Sequence, residues 1–539
     1  MFGAGSARSG YRLTALLALG ALSLASCSAT EPSVKPGGTG EPPPEDPRLS
    51  GTLLYESVAY DLVADGLDYT RTDQKPIRGA RVVLLDAASD TVIAETTSDA
   101  MGRYGFDWEG TASVKLWVYA QTMEPPITIA DNTSGDATYV LESAEVVAED
   151  DTSLDVVATT GWTGVSYGKP RLAAPFSILD AAYTAARRFL DEATPPPVFP
   201  ALEINWSVDN RPEDGIVSLG QIGTSHWDDQ EIYVLGKENV DTDEFDTHVI
   251  VHEWGHSFET RITRSDSWGG SHGFGDVLDP RLAFSEGFCN ALSAMILDPD
   301  TVYSDALGVG QNDGFWEDIE KNDTSESAKP GWYSETTVQN VVFDAYDNHE
   351  EPFDAIALGL PGVYTVLIGE LKTTPAMATL FPFVSGLKTA HPESVAALDA
   401  LVAHHRSGTA FGIDPVTDAW GTGETHGAED PGALPVFVPV AAGETVTLTL
   451  LGGLDSALLG QNRFVRVKGT GAPLEVRSSS TSDVDLYLYR RGKEIDSATS
   501  TSGEESISFP TQAGEDYVVN VQGYGEFSGP YEATIEVIP

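Results

Sequence analysis

The sequence predicts a multidomain chain in which a central α+β domain, residues 162–429, is flanked by two small β-sandwich domains. Two observations carry this prediction. Residues 49–161 and 430–539 consist of short runs that alternate apolar and polar side chains between turn residues, which is typical of β-sandwiches. The central part instead mixes short strands with segments of helical periodicity, such as residues 175–193. We therefore expect three folded units in the 539-residue chain.

The first 48 residues predict export and a membrane anchor. Residues 1–27 hold an apolar run that is too short to span a membrane, and this segment ends in Leu24-Ala25-Ser26-Cys27. The tetrapeptide resembles the lipobox of bacterial lipoproteins, which implies cleavage before Cys27, lipidation of its thiol and a place in the cell envelope. Ser28 favours the outer membrane, and a plain secretory signal with an extracellular product is the alternative. Residues 28–48 are rich in Pro, Gly and Glu, so we expect a flexible tether.

The composition is strongly acidic. The chain has 82 Asp and Glu against 31 Lys and Arg, a formal net charge of −51, so nucleic acid and anionic membrane surfaces should be repelled. The same excess is compatible with Ca²⁺ sites, so we consider Ca²⁺ a second candidate ion. Asp483 and Asp485 could bind it, although solvated carboxylates near a turn are more common. If Cys27 carries lipid, Cys289 has no disulfide partner, and stability must come from buried cores.

The central domain contains the run His252-Glu253-Trp254-Gly255-His256. Residues four apart lie on one face of a helix, so the two imidazoles could bind one Zn²⁺ at about 2.0–2.1 Å. Glu253 projects beside the first imidazole, where it could hold and deprotonate an attacking water. This is the H-E-x-x-H arrangement of zinc metallopeptidases. Two surface histidines on an ordinary amphipathic helix are the alternative interpretation.

The residues before this run support a helix. Asp241, Thr242 and Asp243 offer N-caps and place negative charge near its first turn. His248 lies on the same helical stripe as the two predicted ligands. No Glu follows it, so we expect His248 to support the site or to line its rim rather than to bind the metal.

The third metal ligand must come from elsewhere, and Glu286 is the strongest candidate. Residues 281–295 predict a buried helix, in which a carboxylate needs a metal ion or a charge partner. Together with the H-E-x-x-H run, Glu286 resembles the third ligand of the gluzincin family. Asn290 stands one turn later, where that family often has an Asp that orients a ligand histidine. His272 and Asp276, in a Gly-rich stretch, are the alternative third ligands.

The resemblance to gluzincins implies a zincin-like central domain with a mixed sheet in an upper lobe and helices in a lower lobe. It implies that the last strand before the metal-binding helix, residues 231–235, lies at the sheet edge and pairs with an extended substrate. It also implies a Tyr or His downstream of the third ligand that donates to the oxyanion. Tyr333 fits this place best, and Tyr346 and His349 are weaker alternatives.

The two flanking domains also resemble known families. Residues 112–119 alternate as a clean strand, and residues 49–161 resemble the carboxypeptidase regulatory-like domain. Residues 482–489 alternate in the same way, and residues 430–539 resemble the bacterial pre-peptidase C-terminal domain. Both resemblances imply spacer or binding modules without catalysis. We therefore expect a fragment of about residues 162–432 to fold and to work alone.

Together these features predict a surface-tethered, zinc-dependent metallopeptidase of gluzincin type, expected to be an endopeptidase, with Glu253 as general base. Its partners would be protein or peptide substrates and, through lipidated Cys27, a membrane. Two alternatives stay open. One is an adhesion or scaffold lipoprotein with a vestigial zinc fold, against which the intact Glu253 argues. The other is a zinc amidase that acts on cell-wall amides.

Overall fold

The structure is a computed structural model, and all that follows refers to the residues that it describes: 47–110, 113–149, 151–273, 275–321, 329–349, 352–405, 415–425, 434–453, 457–525 and 530–539. The signal segment, Cys27 and the tether up to residue 46 lie outside them. Among the described residues, no helix is long and apolar enough to cross a membrane. The described chain is multidomain and combines several β-sheets with seven α-helices, as the coarse prediction stated.

The N-terminal part is built from short strands. In the longest alternating one, every second side chain from Val114 to Thr122 is buried, as its sequence pattern predicts. The strands are β1 (Leu49–Asp61), β2 (Gly66–Pro76), β3 (Ala80–Asp86), β4 (Val92–Thr97), β5 (Arg103–Phe106), β6 (Ser113–Met123), β7 (Pro126–Asp131), β8 (Ala137–Thr138), β9 (Val140–Glu142), β10 (Val146–Val147), β11 (Thr152–Ser153) and β12 (Val156–Ala158).

The central part begins with a helix and a run of short strands and continues with helices. Its elements are α1 (Ala174–Glu192), β13 (Leu202–Trp206), β14 (His226–Trp227), β15 (Ile232–Val234), β16 (Gly236–Lys237), β17 (Asp241–Thr242), α2 (Thr247–Ile262), α3 (Pro280–Leu297), β18 (Val302–Asp305), β19 (Phe315–Asp318), α4 (Glu335–Tyr346), α5 (Gly359–Val366), α6 (Leu380–Ala390) and α7 (Val395–His405). Helix α3 packs between α2 and α4, and α5 and α7 pack against α4.

The largest sheet joins the N-terminal strands to the central part. Its main path runs β14-β15-β13-β7-β6-β3-β4. Strand β13 pairs in parallel with β7, so that Leu202 lies opposite Ile127 and Asn205 opposite Ala130. One hydrophobic core also extends through both parts. The N-terminal strands and the central part, which the sequence divides between residues 161 and 162, therefore share one sheet and one core.

Helix α1 connects the N-terminal strands to helix α2. On one side, the carboxylate of Asp180 accepts hydrogen bonds from the Tyr55 hydroxyl at 2.8 Å and from Arg78 Nε at 2.6 Å. On the other side, the ring of Phe189 stacks on Phe258 of α2, with centroids 4.3 Å apart. The position of α2 thus depends on packing that reaches back to β1.

The C-terminal part is a β-sandwich with its own core. A five-stranded sheet has the order β20-β22-β27-β24-β25, and a four-stranded sheet has the order β21-β28-β23-β26. Apolar side chains from both sheets fill the space between them. The strands are β20 (Phe437–Val440), β21 (Thr445–Leu450), β22 (Asn462–Lys468), β23 (Leu474–Ser480), β24 (Val484–Arg490), β25 (Lys493–Ala498), β26 (Ser506–Phe509), β27 (Asp516–Gly523) and β28 (Tyr531–Ile538).

This sandwich packs against the first turn of α3 through a buried arginine. Arg281 forms a two-point ion pair with Asp279, at 2.9 and 2.8 Å, and Asp279 also caps α3 by accepting from the Arg281 N–H. The Arg281 guanidinium lies over the rings of Trp268, Phe464 and Tyr489 at 4.6, 5.1 and 5.7 Å from their centroids. Two of these rings belong to the sandwich, so Arg281 ties it to the helix that carries Glu286.

Candidate metal centre

Three side chains from α2 and α3 converge on one point. Nε2 of His252 lies 3.0 Å from Nε2 of His256, and the Glu286 carboxylate oxygen lies 3.2 and 3.4 Å from these two nitrogens. The i,i+4 spacing on α2 aligns the imidazoles, and the packing of α3 on α2 brings the carboxylate to them. The structure therefore brings together the three residues predicted as metal ligands, and this group could hold a metal ion.

The other ring nitrogen of each histidine has its own partner. Nδ1 of His252 lies 2.7 Å from the side-chain oxygen of Asn290, and Nδ1 of His256 lies 3.1 Å from the Ser285 hydroxyl. Asn290 and Ser285 can each accept from a protonated Nδ1, and the Nε2 atoms are the ones that face Glu286. The place of Asn290 was anticipated from the sequence, whereas that of Ser285 was not.

A buried acid stands behind His256. The Ser285 hydroxyl donates to Glu259 at 2.6 Å, and Cys289 Sγ lies 3.4 Å from Nδ1 of His256. Burial raises the pKa of Glu259. Sequence reasoning missed Glu259, although an acid one turn after His256 on a helix with a largely buried face was a usable signal.

Glu286 is held as an anion despite its surroundings. Its side chain is buried in α3, an environment that by itself would raise the pKa of the carboxyl. The positive charge of His256 and hydrogen bonds from both histidines outweigh burial and hold the pKa of Glu286 well below its ordinary value. The site therefore presents an ionised oxygen next to two nitrogen donors.

Glu253 is fixed by the edge of the large sheet. Its Oε2 accepts a hydrogen bond from the Trp227 backbone N–H at 3.0 Å. Trp227 belongs to β14, the last strand of the sheet, whereas β15 has β13 on one side and β14 on the other. The expectation that residues 231–235 form the edge strand is therefore wrong. The two-residue β14 was missed because it is too short to leave a periodic pattern.

His272 approaches the same group from the Gly-rich loop. Its Nε2 lies 3.6 Å from the Glu286 carboxylate and 3.9 Å from that of Glu335. Burial would lower the pKa of His272, but the two carboxylates outweigh it and raise the pKa. Asp276, the other alternative ligand, instead closes a turn of the loop by accepting from the Gly273 N–H at 3.0 Å.

His248 lies one turn before His252 but has a different environment. Its Nδ1 contacts the Ser293 hydroxyl at 2.9 Å, and its Nε2 lies 3.8 Å from Asp300. The side chain is buried. It thus links α2 to the end of α3.

The predicted oxyanion donors are placed as follows. The hydroxyl of Tyr333 is 3.4 Å from the Pro330 carbonyl oxygen, and its ring packs edge-on against Trp332. Tyr346 bonds to Arg188 and Asp298. His349 lies 2.9 Å from Asp347 and 3.0 Å from Glu320.

A different tyrosine borders the metal group. Tyr303 is in β18, and its ring centroid lies 6.2 Å from that of His252. Burial, together with the charges of Asp305 and Glu253, raises the pKa of Tyr303 well above its ordinary value, so its hydroxyl keeps its proton. No motif surrounds Tyr303 in the sequence, which is why it was not considered.

The C-terminal calcium candidates do not form a compact donor group. The Tyr487 hydroxyl lies 3.4 Å from Asp485, and burial followed by the charge of Asp483 raises the pKa of Asp485 to about 6. Among the described residues, the clusters of three or more acidic, His or Cys donors lie in the central part.

The comparisons with known proteins match only a small part of this chain. No family model and no curated protein matches the sequence. Part of the chain is similar to two solved structures. One is the pre-peptidase C-terminal domain of a collagenase from Bacillus anthracis, and the other is PliG, a periplasmic lysozyme inhibitor from Salmonella Typhimurium. The collagenase domain is 10% identical in sequence to this chain and PliG is 13% identical. Each match covers 18% of this chain, together with 91% of the collagenase domain and 96% of PliG. Their TM-scores of 0.15 and 0.13 carry no argument about fold or function.

Proposed function

We propose that this chain is a zinc-dependent metallopeptidase of the gluzincin type, with His252, His256 and Glu286 as the metal ligands. One observation carries the proposal: three donor atoms on two helices lie within 3.4 Å of one another. In addition, a backbone N–H holds the carboxylate of Glu253, the residue that follows His252. The central sheet with its helices would then correspond to the lobes of a zincin fold.

The donor set suits zinc in both spacing and chemistry. Tetrahedral bonds of about 2.0–2.1 Å separate two donor atoms by about 3.3 Å. The observed separations of 3.0, 3.2 and 3.4 Å agree with this value. Two imidazoles and one carboxylate also form a common ligand set of catalytic zinc sites, which leave one position open.

Bound Zn²⁺ would act as a Lewis acid on the substrate carbonyl and would make water acidic enough to lose a proton near neutral pH. Glu253 acts as the general base that takes this proton and then delivers it to the leaving amine. The Trp227 N–H orients the Glu253 carboxylate for both steps. Because that N–H belongs to the edge strand, a substrate strand beside β14 would lie next to Glu253.

Tyr303 is our preferred donor to the oxyanion. Its ring lies beside His252, and its hydroxyl stays protonated because its pKa is raised. Tyr333 stays a weaker candidate, since its hydroxyl is near the Pro330 carbonyl oxygen. His272 also lies close to the metal group, since its Nε2 is 3.6 Å from the Glu286 carboxylate. It could donate to the oxyanion or bind the metal.

The decisive experiment separates metal binding from hydrolysis in the full-length protein. Glu253→Gln should keep one zinc per chain and a native circular dichroism spectrum, but should lose casein hydrolysis by several orders of magnitude. His252→Ala, His256→Ala and Glu286→Gln should each lower zinc content. Glu149→Gln, at an exposed position in the N-terminal part, is the matched control and should keep both.

Two outcomes would contradict the peptidase proposal. Zinc-loaded protein that cleaves none of a broad set of peptides would favour an adhesion or scaffold role. Hydrolysis of cell-wall fragments without peptide cleavage would favour an amidase. If Glu286→Gln kept full zinc content while His272→Ala lost it, His272 would replace Glu286 as the third ligand.

The location in the cell envelope is part of the proposal and rests on the sequence near Cys27. Cys27→Ser should move the full-length protein from the membrane fraction to the soluble fraction, with unchanged hydrolysis per molecule. Membrane association that survives this substitution would count against lipidation as the anchor.

A further inference from the structure

A second group of acidic side chains lies where helix α2 begins, apart from the metal ligands. Asp241 is in β17, Asp243 and Asp246 lie in the segment that leads into α2, and Asp305 ends β18. One carboxylate oxygen from each of Asp241, Asp243 and Asp305 falls within 4.8 Å of the others. Two segments that are distant in sequence therefore bring three carboxylates to one point.

These carboxylates are incompletely satisfied by the protein. Asp243 Oδ2 accepts from the Ser225 hydroxyl, and Asp246 Oδ2 accepts from the Ala306 N–H at 3.1 Å. The Oδ1 atoms of all four aspartates are buried and have no hydrogen-bond partner among the described residues. Asp243 and Asp246 are only 3% and 1% exposed. Buried unpartnered oxygens of this kind indicate a missing positive partner.

The described protein supplies no such partner. None of the four aspartates forms an ion pair with a described Lys, Arg or His, and the nearby Arg171 is bonded to Glu244 at 2.9 Å. Burial, followed by the charge of Asp305, raises the pKa of Asp241 to about 8. Burial and neighbouring carboxylates also raise the pKa values of Asp243, Asp246 and Asp305. Without a cation, the cluster therefore has to retain protons.

We propose that Asp241, Asp243 and Asp305 bind Ca²⁺, with Asp246 close beside the ion. All the donors are oxygens, which suit a hard cation and disfavour zinc or copper. Ca²⁺ takes six to eight oxygen ligands in flexible geometries, and the half-buried Asp241 and Asp305 leave room for water among them. This site is distinct from the histidine group and from the C-terminal aspartates.

The ion would connect β18 to the start of the metal-binding helix. Tyr303 and Asp305 are two residues apart in β18 and therefore lie on the same face of the strand. The Tyr303 ring borders His252. Ca²⁺ at Asp305 would thus hold β18, and with it Tyr303, against α2. The proposal stands or falls independently of zinc and peptidase activity, because it concerns binding and stability.

The test is a Ca²⁺ titration of full-length protein that has been stripped of metal and reloaded with one equivalent of Zn²⁺. Calorimetry should show one strong Ca²⁺ site per chain, and the thermal midpoint should rise with Ca²⁺ concentration. Asp243→Asn and Asp305→Asn should each weaken the affinity about tenfold or more, because each removes a charged ligand. Asp136→Asn, an exposed position with a positive φ that Asn tolerates, is the matched control and should bind Ca²⁺ like the wild type.

Three results would contradict Ca²⁺ binding by Asp241, Asp243 and Asp305. If the cluster only shares protons, Ca²⁺ up to 10 mM, about ten times the weakest ordinary extracellular affinity, should leave the wild-type midpoint unchanged. Asp243→Asn should then raise the midpoint, because it removes a buried repulsion. A Ca²⁺ response that survives in Asp243→Asn and Asp305→Asn but disappears in Asp485→Asn would place the ion in the C-terminal sandwich. Any of these results would overturn the proposal.

Discussion

Asn290 and His252 form the contact that sets the chemistry of the candidate metal centre. The Asn290 side-chain oxygen lies 2.7 Å from Nδ1 of His252, while the Asn290 amide nitrogen donates to Glu335 at 2.8 Å. Because Glu335 requires the amide nitrogen on its side, the oxygen must face His252. The imidazole is then protonated at Nδ1 and offers its Nε2 lone pair to a metal.

We predict that Asn290→Ala weakens zinc binding about 10–100-fold, because His252 loses the group that orients it. Competition with a chromogenic chelator measures this affinity. Asn290→Asp keeps an acceptor for Nδ1 but places a second acid against Glu335, whose pKa burial already raises. It should therefore fall between Asn290→Ala and the wild type. Equal zinc affinity in all three proteins would show that His252 needs no such partner.

Tyr303 and Tyr333 are both candidates for the donor to the oxyanion, and removal of the hydroxyl oxygen from each in turn distinguishes them. Tyr303→Phe should lower kcat about 10²–10³-fold with little change in KM or zinc content, because the donor acts on charge that develops in the transition state. Tyr333→Phe should leave kcat within a few-fold of the wild type. If steady-state kinetics instead showed a large loss of kcat in Tyr333→Phe and little loss in Tyr303→Phe, Tyr333 would be the donor to the oxyanion.

The buried ion pair between Arg281 and Asp279 should be important for stability. Arg281→Met should lower the free energy of unfolding by about 3–5 kcal/mol, because the Asp279 carboxylate would stay buried without its cation. Arg477→Met is the matched control, since the Arg477–Glu475 pair is exposed to solvent and should contribute much less to stability. Urea unfolding of both variants measures the difference, and equal losses would contradict the importance of burial at Arg281.

The C-terminal sandwich should become less stable as pH rises through the titration of Asp485. Its pKa is about 6 in the folded protein, above its ordinary value of 3.8. The folded state therefore holds this proton more tightly than the unfolded state, so stability is greatest below about pH 4 and falls until about pH 6. Asp485→Asn should remove this slope and stabilise the sandwich at pH 7 by about 1–2 kcal/mol, after solvent screening is allowed for.

Hydrogen exchange of peptides from β24 and β27 follows this sandwich separately from the rest of the chain. Glu494→Gln, at an exposed position, serves as the control and should keep the wild-type slope. If protection in these strands did not change with pH between 4 and 7 in the wild type, the titration of Asp485 would not be linked to folding.

A fragment of residues 162–432 should not fold, contrary to the expectation from the sequence. It lacks β7, the parallel partner of β13, and the strands that hold α1. It also exposes Leu278 and Leu282, which pack against Ala457 and Leu458 of the C-terminal part. Expression of this fragment beside the fragment 47–539 tests the point. Soluble, cooperative unfolding of the shorter fragment would show that its own core is sufficient.

Local patterns predicted much of the site but little of its surroundings. The H-E-x-x-H run and the apolar stretch around Glu286 are each contiguous, so both helices and the three candidate ligands could be predicted from the sequence. The pairing of β13 with β7 was not, because strands that are distant in sequence leave no shared periodicity. Ser285 and Tyr303 were missed for a related reason: each comes close to a histidine of α2 only through the packing of one element on another.

The parallel pairing of Ile127 with Leu202 also determines the order in which the protein can assemble. These residues are about 75 positions apart, and such non-local parallel contacts form slowly. The strands from β1 to β7 must exist before β13, β15 and β14 can add to the sheet, and only then does the Trp227 N–H meet Glu253. As the chain emerges from the ribosome with its N-terminus first, its N-terminal strands become available before the central strands that pair with them. The peptidase activity that we propose should therefore arise only after the N-terminal strands and the central part have closed into one sheet.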